Sequence, residues 1–379
     1  MRNYPTAFLI LLSLLMITGC NKLTQVTDVI TQPTAREVYA RNFDNDSLPY
    51  LNWNRAFARA LQDSVEVKLP YAEQGVFNAD NLPVYAYNLK LELGRNYHFQ
   101  VKTDSLNPLV FIDIYEKTSD SIRPYKLLEQ ADYKTASLNF SPKNTGDFKL
   151  VIQPQLGATS DFTMSFGSAP AYAFPVAGLS SKAIQSFWGA ARDGGSRSHE
   201  GVDIFASRGT PVLASVAGYV SSTGNRGLGG KQVWLRDGLF GSSLYYAHLD
   251  SIIASRGQRV KVGDTLGLIG NTGNARTTPP HLHFGIYRRG SGAINPFPFI
   301  EEAAFPEISE TSTEIPTKVV VNASQANLRQ GPSAKMQKNG SLSRRDTIWV
   351  LGRSADWLHI KTSENQSAFL HESLVQALN

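Results

Sequence analysis

The chain has one cysteine, Cys20, and four methionines in 379 residues. No disulfide can close within it, and a cysteine-rich structural zinc site is excluded. The apolar amino-terminal stretch from Ala7 to Thr18 in "MRNYPTAFLILLSLLMITGCNK" is twelve residues long. That is short of the about twenty needed to span a bilayer as a helix. Long runs of one charge are missing too. The net charge of +5 suits an anionic envelope polymer, but the basic residues are scattered and "SRRD" and "YRRG" read as solvated loops. No nucleic-acid site follows from them, and no fixed-period repeat appears.

A hydrophobic content of 42% with 18% charged residues describes ordinary globular domains, and the length predicts two or three of them. Arg2 ahead of the short apolar stretch reads as an export signal. Ile17-Thr18-Gly19-Cys20 resembles the lipobox of bacterial lipoproteins. The resemblance implies a signal peptide over 1–19, lipidation at Cys20, and a cell-envelope protein anchored to a bacterial membrane; the expected location is the periplasmic side of the outer membrane, though the lipobox itself does not specify the membrane. Residues 20–35 are polar and read as a tether.

The stretch "WNRAFARALQ" places Trp53, Ala56, Phe57, Ala60 and Leu61 on one helix face, the pattern of a core stripe. Alternating segments follow in "NYHFQVKT", "LVFIDIYEK", "DFKLVIQP" and "DFTMSFG". Residues 36–168 are therefore expected to form a β-sandwich-like domain with a short helix, with His98 structural. Nineteen of the thirty glycines fall between Gly194 and Gly292, which predicts short strands joined by tight turns in an all-β domain over 170–300. Residues 301–317 mix Pro, Ser, Thr and Glu without periodicity and read as a solvated linker. In 318–379, "ANLRQGPS" and "DWLHIKT" resemble the bacterial SH3-like barrel, which implies affinity for cell-wall peptides, with His359 on a strand face.

Within the glycine-rich part, "PHLHFGIY" alternates, so Leu282, Phe284 and Ile286 share one strand face and His281 and His283 the other. An isolated H-x-H more often fills hydrogen bonds than serves chemistry. Here it has company: "SHEGVDIFA" holds His199 and Asp203, and "YYAHLD" ends an aromatic run at His248. Fully extended, His199 and Asp203 would lie about 13 Å apart, too far to share an ion with bonds of about 2 Å. The chain is expected to bend there, with Gly201 allowing it.

These segments, with "GTPVLASVAGYV", "GGKQVWL" and "GQRVKVGDTLGLIGNTG", occur in the order found in the lysostaphin-type zinc endopeptidases of peptidoglycan, the LytM-like enzymes of family M23. The resemblance covers about residues 170–298. It implies an all-β peptidase fold with a duplicated hybrid motif, one zinc ion per chain on His199, Asp203 and His283, and His248 and His281 as the catalytic pair. Which of the two acts as general base stays open. Arg192 and Arg197 are candidates for binding a substrate carboxylate, with a structural salt bridge as the alternative. Asn271 and Asn274 either shape the groove rim or form turns. The H-E-x-x-H helix of other metalloproteases is missing, so Glu200 is not needed as a base.

Taken together, these readings predict a mainly β, exported and lipid-anchored zinc endopeptidase. It would act on peptidoglycan stem peptides or cross-links, at the D-alanyl-diaminopimelate bond. The alternative is a wall-binding or hydrolase-activating lipoprotein of the same fold without activity.

Overall fold

The computed structural model describes residues 31–378 apart from 32, 45, 105–106, 123, 239–240 and 309–314. The expected signal peptide, Cys20 and most of the tether lie outside the described residues. The chain is mainly β, with short helices at the start of the described part.

Thr34 and Glu37 form a capping box on the helix Ala35–Ala40: the Thr34 side chain accepts from the Glu37 N–H at 3.2 Å, and Glu37 accepts from the Thr34 N–H at 2.6 Å. The helix Leu48–Ala60 has Pro49 in its first turn, where a missing N–H breaks no helical bond. It buries Trp53, Ala56 and Ala60, with Phe57 and Leu61 partly covered, so the predicted stripe is the packed face. Trp53 donates its Nε1–H to the Pro154 carbonyl at 3.0 Å, fixing the helix to the sheet behind it.

Two sheets share the core that follows. One has the strand order Tyr85–Leu91, Gly146–Pro154, Val110–Lys117, Tyr125–Gln130. In the other, Tyr71–Phe77, Ser160–Pro170, Arg95–Thr103 and Ser137–Phe140 run side by side. Tyr85, Tyr87, Ile112 and Leu150 of the first meet Phe77, Phe99, Met164 and Phe166 of the second.

The second sheet does not end at Tyr71–Phe77. That strand also pairs with Thr347–Ser354 through Gln74 and Arg353, giving a continuous sheet of eleven strands that includes the carboxy-terminal segment. Gly75 permits the approach, because a Cβ there would lie 2.5 Å from the Leu351 carbonyl oxygen. Leu351 and Phe369 enter the same core as the amino-terminal strands. Residues 318–378 therefore dock on the sheet that contains Tyr71–Phe77, a contact that linker composition does not foretell. The first part of the expected linker is also pinned. Ala304 and Ser168 exchange backbone hydrogen bonds of 2.8 Å, and Arg95 binds Glu301 at 2.7 Å.

The middle of the chain builds a ten-stranded antiparallel sheet in which His281–Arg288 lies between Ser242–Ile252 and Val202–Phe205. Its buried side packs Val202, Ile204, Leu244, Tyr246, Leu282, Phe284 and Ile286 into one core. The short helix Phe297–Ile300 covers an edge of that core, with Phe299 against Tyr172 at 5.1 Å between ring centres. A cleft opens on the opposite face.

Candidate functional site

The strand His281–Arg288 alternates as its sequence predicts: Leu282, Phe284 and Ile286 are fully buried in the core, and His281 and His283 face the cleft. Antiparallel pairing sets His283 opposite Asp203 on one side and Ala247 on the other, and sets His281 opposite Phe205. Register alone thus brings Asp203 to His283. His199 arrives from the turn before Val202–Phe205, held by its N–H to the Ala190 carbonyl at 2.9 Å.

Three donor atoms converge there. His199 Nε2 lies 3.1 Å from Asp203 Oδ1 and 3.0 Å from His283 Nδ1, and His283 Nδ1 lies 3.0 Å from Asp203 Oδ1. Gly201 makes the bend between His199 and Asp203 possible by its lack of a side chain: it is not among the residues with left-handed φ, but a Cβ on it would stand 2.6 Å from His283 Cε1 and 2.6 Å from the Phe284 carbonyl oxygen.

The donor set fits a metal ion. His199 Nδ1 faces the Phe187 carbonyl at 2.9 Å; a carbonyl can only accept, so Nδ1 carries the proton and Nε2 turns a lone pair toward the cluster. Bonds of about 2.0–2.1 Å in a tetrahedral arrangement separate ligand atoms by about 3.4 Å, close to the spacing seen. Burial by itself would raise the Asp203 carboxyl, but the hydrogen bonds and charge of His199 and His283 hold it well below the carboxylate range. Burial also lowers His283, partly offset by Asp203. An anionic oxygen beside two imidazoles, with a cleft above, is a three-ligand site with an open position.

The other two histidines stand beside this cluster with matching second-nitrogen contacts. His281 Nδ1 donates to the Pro279 carbonyl at 2.8 Å, and His248 Nδ1 donates to the Thr272 carbonyl at 2.9 Å. Each Nε2 is left with a lone pair. Their rings are 5.0 Å apart centre to centre, and His281 stacks on Phe205 at 4.9 Å. Burial and the neighbouring His283 and His281 push His248 down to about 4, so it is neutral at ordinary pH.

Strict alternation would put His248 on the same face as Tyr246, which is fully buried in the core. It faces the cleft because its backbone is left-handed, φ 62°, within the bulge where the pairing with Gly230–Asp237 shifts register: Tyr246 stands opposite Val233 but Leu249 opposite Lys231. A non-glycine residue held in that conformation costs about 1–3 kcal/mol, and such strain gathers at functional sites.

The candidate substrate residues divide. Arg192 donates from Nη2 to Asp203 Oδ2 at 2.7 Å and to Ser186 Oγ at 2.6 Å, so it engages a donor of the cluster instead of standing open for a substrate carboxylate. Arg197, opposite it in the small hairpin of Ala191–Arg192 and Arg197–Ser198, lines the cleft. Asn271 accepts from Arg208 at 2.6 Å and donates to the carbonyls of Arg276 and Thr278, which makes it a support of the loop before His281. Asn274 lines the cleft, and its N–H binds the Leu228 carbonyl at 3.0 Å.

The cleft has a volume of about 720 Å³. Sequence reading missed its aromatic wall of Trp234, Tyr245 and Tyr287, as well as Phe205 beneath His281. The alternation of "SLYYAHL" with Tyr246 inward could have put Tyr245 on the cleft face; the meeting of the three rings needed the strand order.

Residues 197–296 match peptidase family M23. The chain is 36% identical over 140 residues to the L-Ala--D-Glu endopeptidase of Bacillus subtilis (strain 168), an alignment covering 34% of this chain and 43% of that protein. It is 40% identical over 95 residues to the peptidoglycan DD-endopeptidase ShyA of Vibrio cholerae, covering 24% and 21%. The chain thus spans less than half the length of these curated relatives. Among solved structures, the catalytic domain of lysostaphin from Staphylococcus simulans is 33% identical, covering 31% of this chain and 90% of that one with a TM-score of 0.28. The match over residues 197–296, on the strands that bring His199, Asp203, His248, His281 and His283 together, identifies this part of the chain as a domain of peptidase family M23.

Proposed function

We propose that the chain is an exported, lipid-anchored zinc endopeptidase that hydrolyses amide bonds in peptidoglycan stem peptides or cross-links, at the D-alanyl-diaminopimelate bond. The observation that carries the reading is the convergence of His199 Nε2, Asp203 Oδ1 and His283 Nδ1 within 3.1 Å beside two further imidazoles in one cleft. The relatives' names supply the substrate class, and the lipobox-like Ile17-Thr18-Gly19-Cys20 motivates the lipid anchor, for which we propose the periplasmic face of the outer membrane.

His199, Asp203 and His283 would hold the zinc. Zinc bound there supplies Lewis acidity that polarises the scissile carbonyl and makes water a better nucleophile near neutral pH. The chain's own groups do the rest. A neutral imidazole with its Nε2 lone pair toward the cleft accepts the proton of the attacking water, and His248 and His281 both present one. Once protonated, that imidazole returns the proton to the leaving amine. The other steadies the negative charge that develops on the carbonyl oxygen once its own Nε2 carries a proton, because only an N–H can donate to that oxygen. The carbonyls of Thr272 and Pro279 keep both rings in the required tautomer.

The test is digestion of purified sacculi of differing cross-link chemistry, with muropeptides identified by mass spectrometry. Release of D-alanyl and diaminopimelate ends from diaminopimelate-linked sacculi is the expected result. Another released terminus moves the scissile bond. No release by folded, zinc-loaded protein would favour a wall-binding or hydrolase-activating protein.

A further inference from the structure

We propose that the end of the cleft walled by Trp234, Tyr245 and Tyr287 and flanked by Glu200 is a subsite for a side-chain ammonium on the peptide whose amide is cut. The inference rests on the peptidase reading and adds to it a recognised group. Three neighbouring strands each contribute one aromatic ring: Trp234 stands opposite Tyr245 in the antiparallel register, and Tyr287 lies four residues beyond His283 on the same strand face. Ring centres are 4.4 Å apart for Trp234 and Tyr245, 5.2 Å for Trp234 and Tyr287, and 6.3 Å for the two tyrosines. The wall adjoins the donor cluster, because Tyr245 meets His283 edge-on at 5.8 Å. A group seated on it is therefore within one side chain of the reacting amide.

All three rings are half-buried and line the cleft, so part of each is open to a ligand. An aliphatic side chain needs no such wall. The negative π face of Trp or Tyr is suited to a cation, and a carboxylate at its rim completes the fit. Among the described residues, two carboxylates line the cleft. Asp203 belongs to the donor cluster, which leaves Glu200, exposed and accepting a hydrogen bond from the Tyr287 hydroxyl at 3.4 Å. Burial pushes the Tyr287 hydroxyl up to about 12, and the Glu200 charge adds to it, so the hydroxyl remains a neutral donor that holds Glu200 against the wall. Of the two arginines lining the cleft, Arg192 is bound to Asp203 and Ser186. A primary ammonium has three donors and can bind Glu200 while lying over a ring. The substrate class is thus a peptide with a diamino-acid residue whose side-chain amine is free, next to the scissile bond.

The probe is a preparation of soluble cross-linked muropeptide dimers with free side-chain amines, compared with the same dimers acetylated by acetic anhydride. Acetylation should lower kcat/KM of the zinc-loaded wild type about tenfold, mainly through KM, the scale of one cation–π contact joined to a charge pair. In Glu200→Gln and Trp234→Leu the ratio between the two preparations should fall toward one. Equal turnover of both preparations by the wild type, or undiminished discrimination by both variants, overturns the subsite. Calorimetric binding to zinc-loaded His281→Ala separates this outcome from failure of the peptidase reading. Tighter binding of the free-amine dimers, with neither preparation cut by the wild type, refutes the peptidase and retains the subsite. Cleavage of both with equal affinity does the reverse.

Discussion

Arg192 grips one oxygen of Asp203 at 2.7 Å while the other oxygen faces His199 and His283 at 3.1 and 3.0 Å. The guanidinium therefore orients a carboxylate of the donor cluster and balances its charge, with Ser186 accepting from the same Nη2 at 2.6 Å. Partners of this kind change metal affinity by about 10–100-fold when removed. Arg192→Ala should weaken zinc binding on that scale in chelator competition, and saturating zinc should recover much of the rate. Arg192→Lys, which keeps the charge but lacks the fork, should fall between. Unchanged affinity in Arg192→Ala would mean that the pair is incidental.

The cleft histidines should fail in two different ways. His283→Ala leaves His199 and Asp203 as the remaining donors, so the protein should lose both zinc and activity. His281→Ala and His248→Ala should keep close to one zinc per chain and lose about a hundredfold or more in rate. Elemental analysis beside cleavage rates on the same folded preparations checks this. A metal-free His281→Ala with a zinc-loaded His283→Ala would reverse the assignment along the strand.

His248 also leaves a mark on stability. Its folded-state pKa is down at about 4 against 6.5 for the free side chain, because burial disfavours the charged ring. Between those values the unfolded chain binds the proton and the folded chain does not, so stability falls as pH drops from about 6.5 toward 4 and levels off below. The loss is on the order of 3 kcal/mol. Urea unfolding of metal-free wild type and His248→Asn across this range should show a steeper pH slope in the wild type. Parallel slopes would mean that the ring is not held neutral.

The carboxy-terminal segment should prove more than an appended wall-binding module. Glu73, from the strand Tyr71–Phe77, is fully buried together with His359 of Trp357–Lys361, at 3.0 Å, and accepts from the Tyr87 hydroxyl at 2.7 Å. Leaving a buried polar group without its hydrogen-bond partner costs about 1–3 kcal/mol. His359→Leu should lower the urea midpoint accordingly. Removing residues 318–379 should strip the cover from Glu73 and Tyr85 and destabilise the amino-terminal sheets, as read by proteolysis of residues 36–168. A truncate as stable as the full chain would restore the picture of a loosely tethered module.

Local pattern made part of this molecule legible. Period-two alternation in "HLHFGIY" is a property of a pleated strand, so it fixed the cleft face of His281 and His283 without any partner strand. The helical stripe from Trp53 to Ala60 and the glycine-rich turns declared their element types in the same way, and the mainly β class followed. The register of Asp203 with His283, the left-handed turn that rotates His248 into the cleft, the grip of Arg192 on Asp203 and the assembly of Trp234, Tyr245 and Tyr287 were settled by tertiary structure. So was the pairing of Gln74 with Arg353. The physical reason is common to all of them: a sequence pattern states which side of an element is apolar, but which two sides meet depends on strand order and on contacts between residues far apart in the chain.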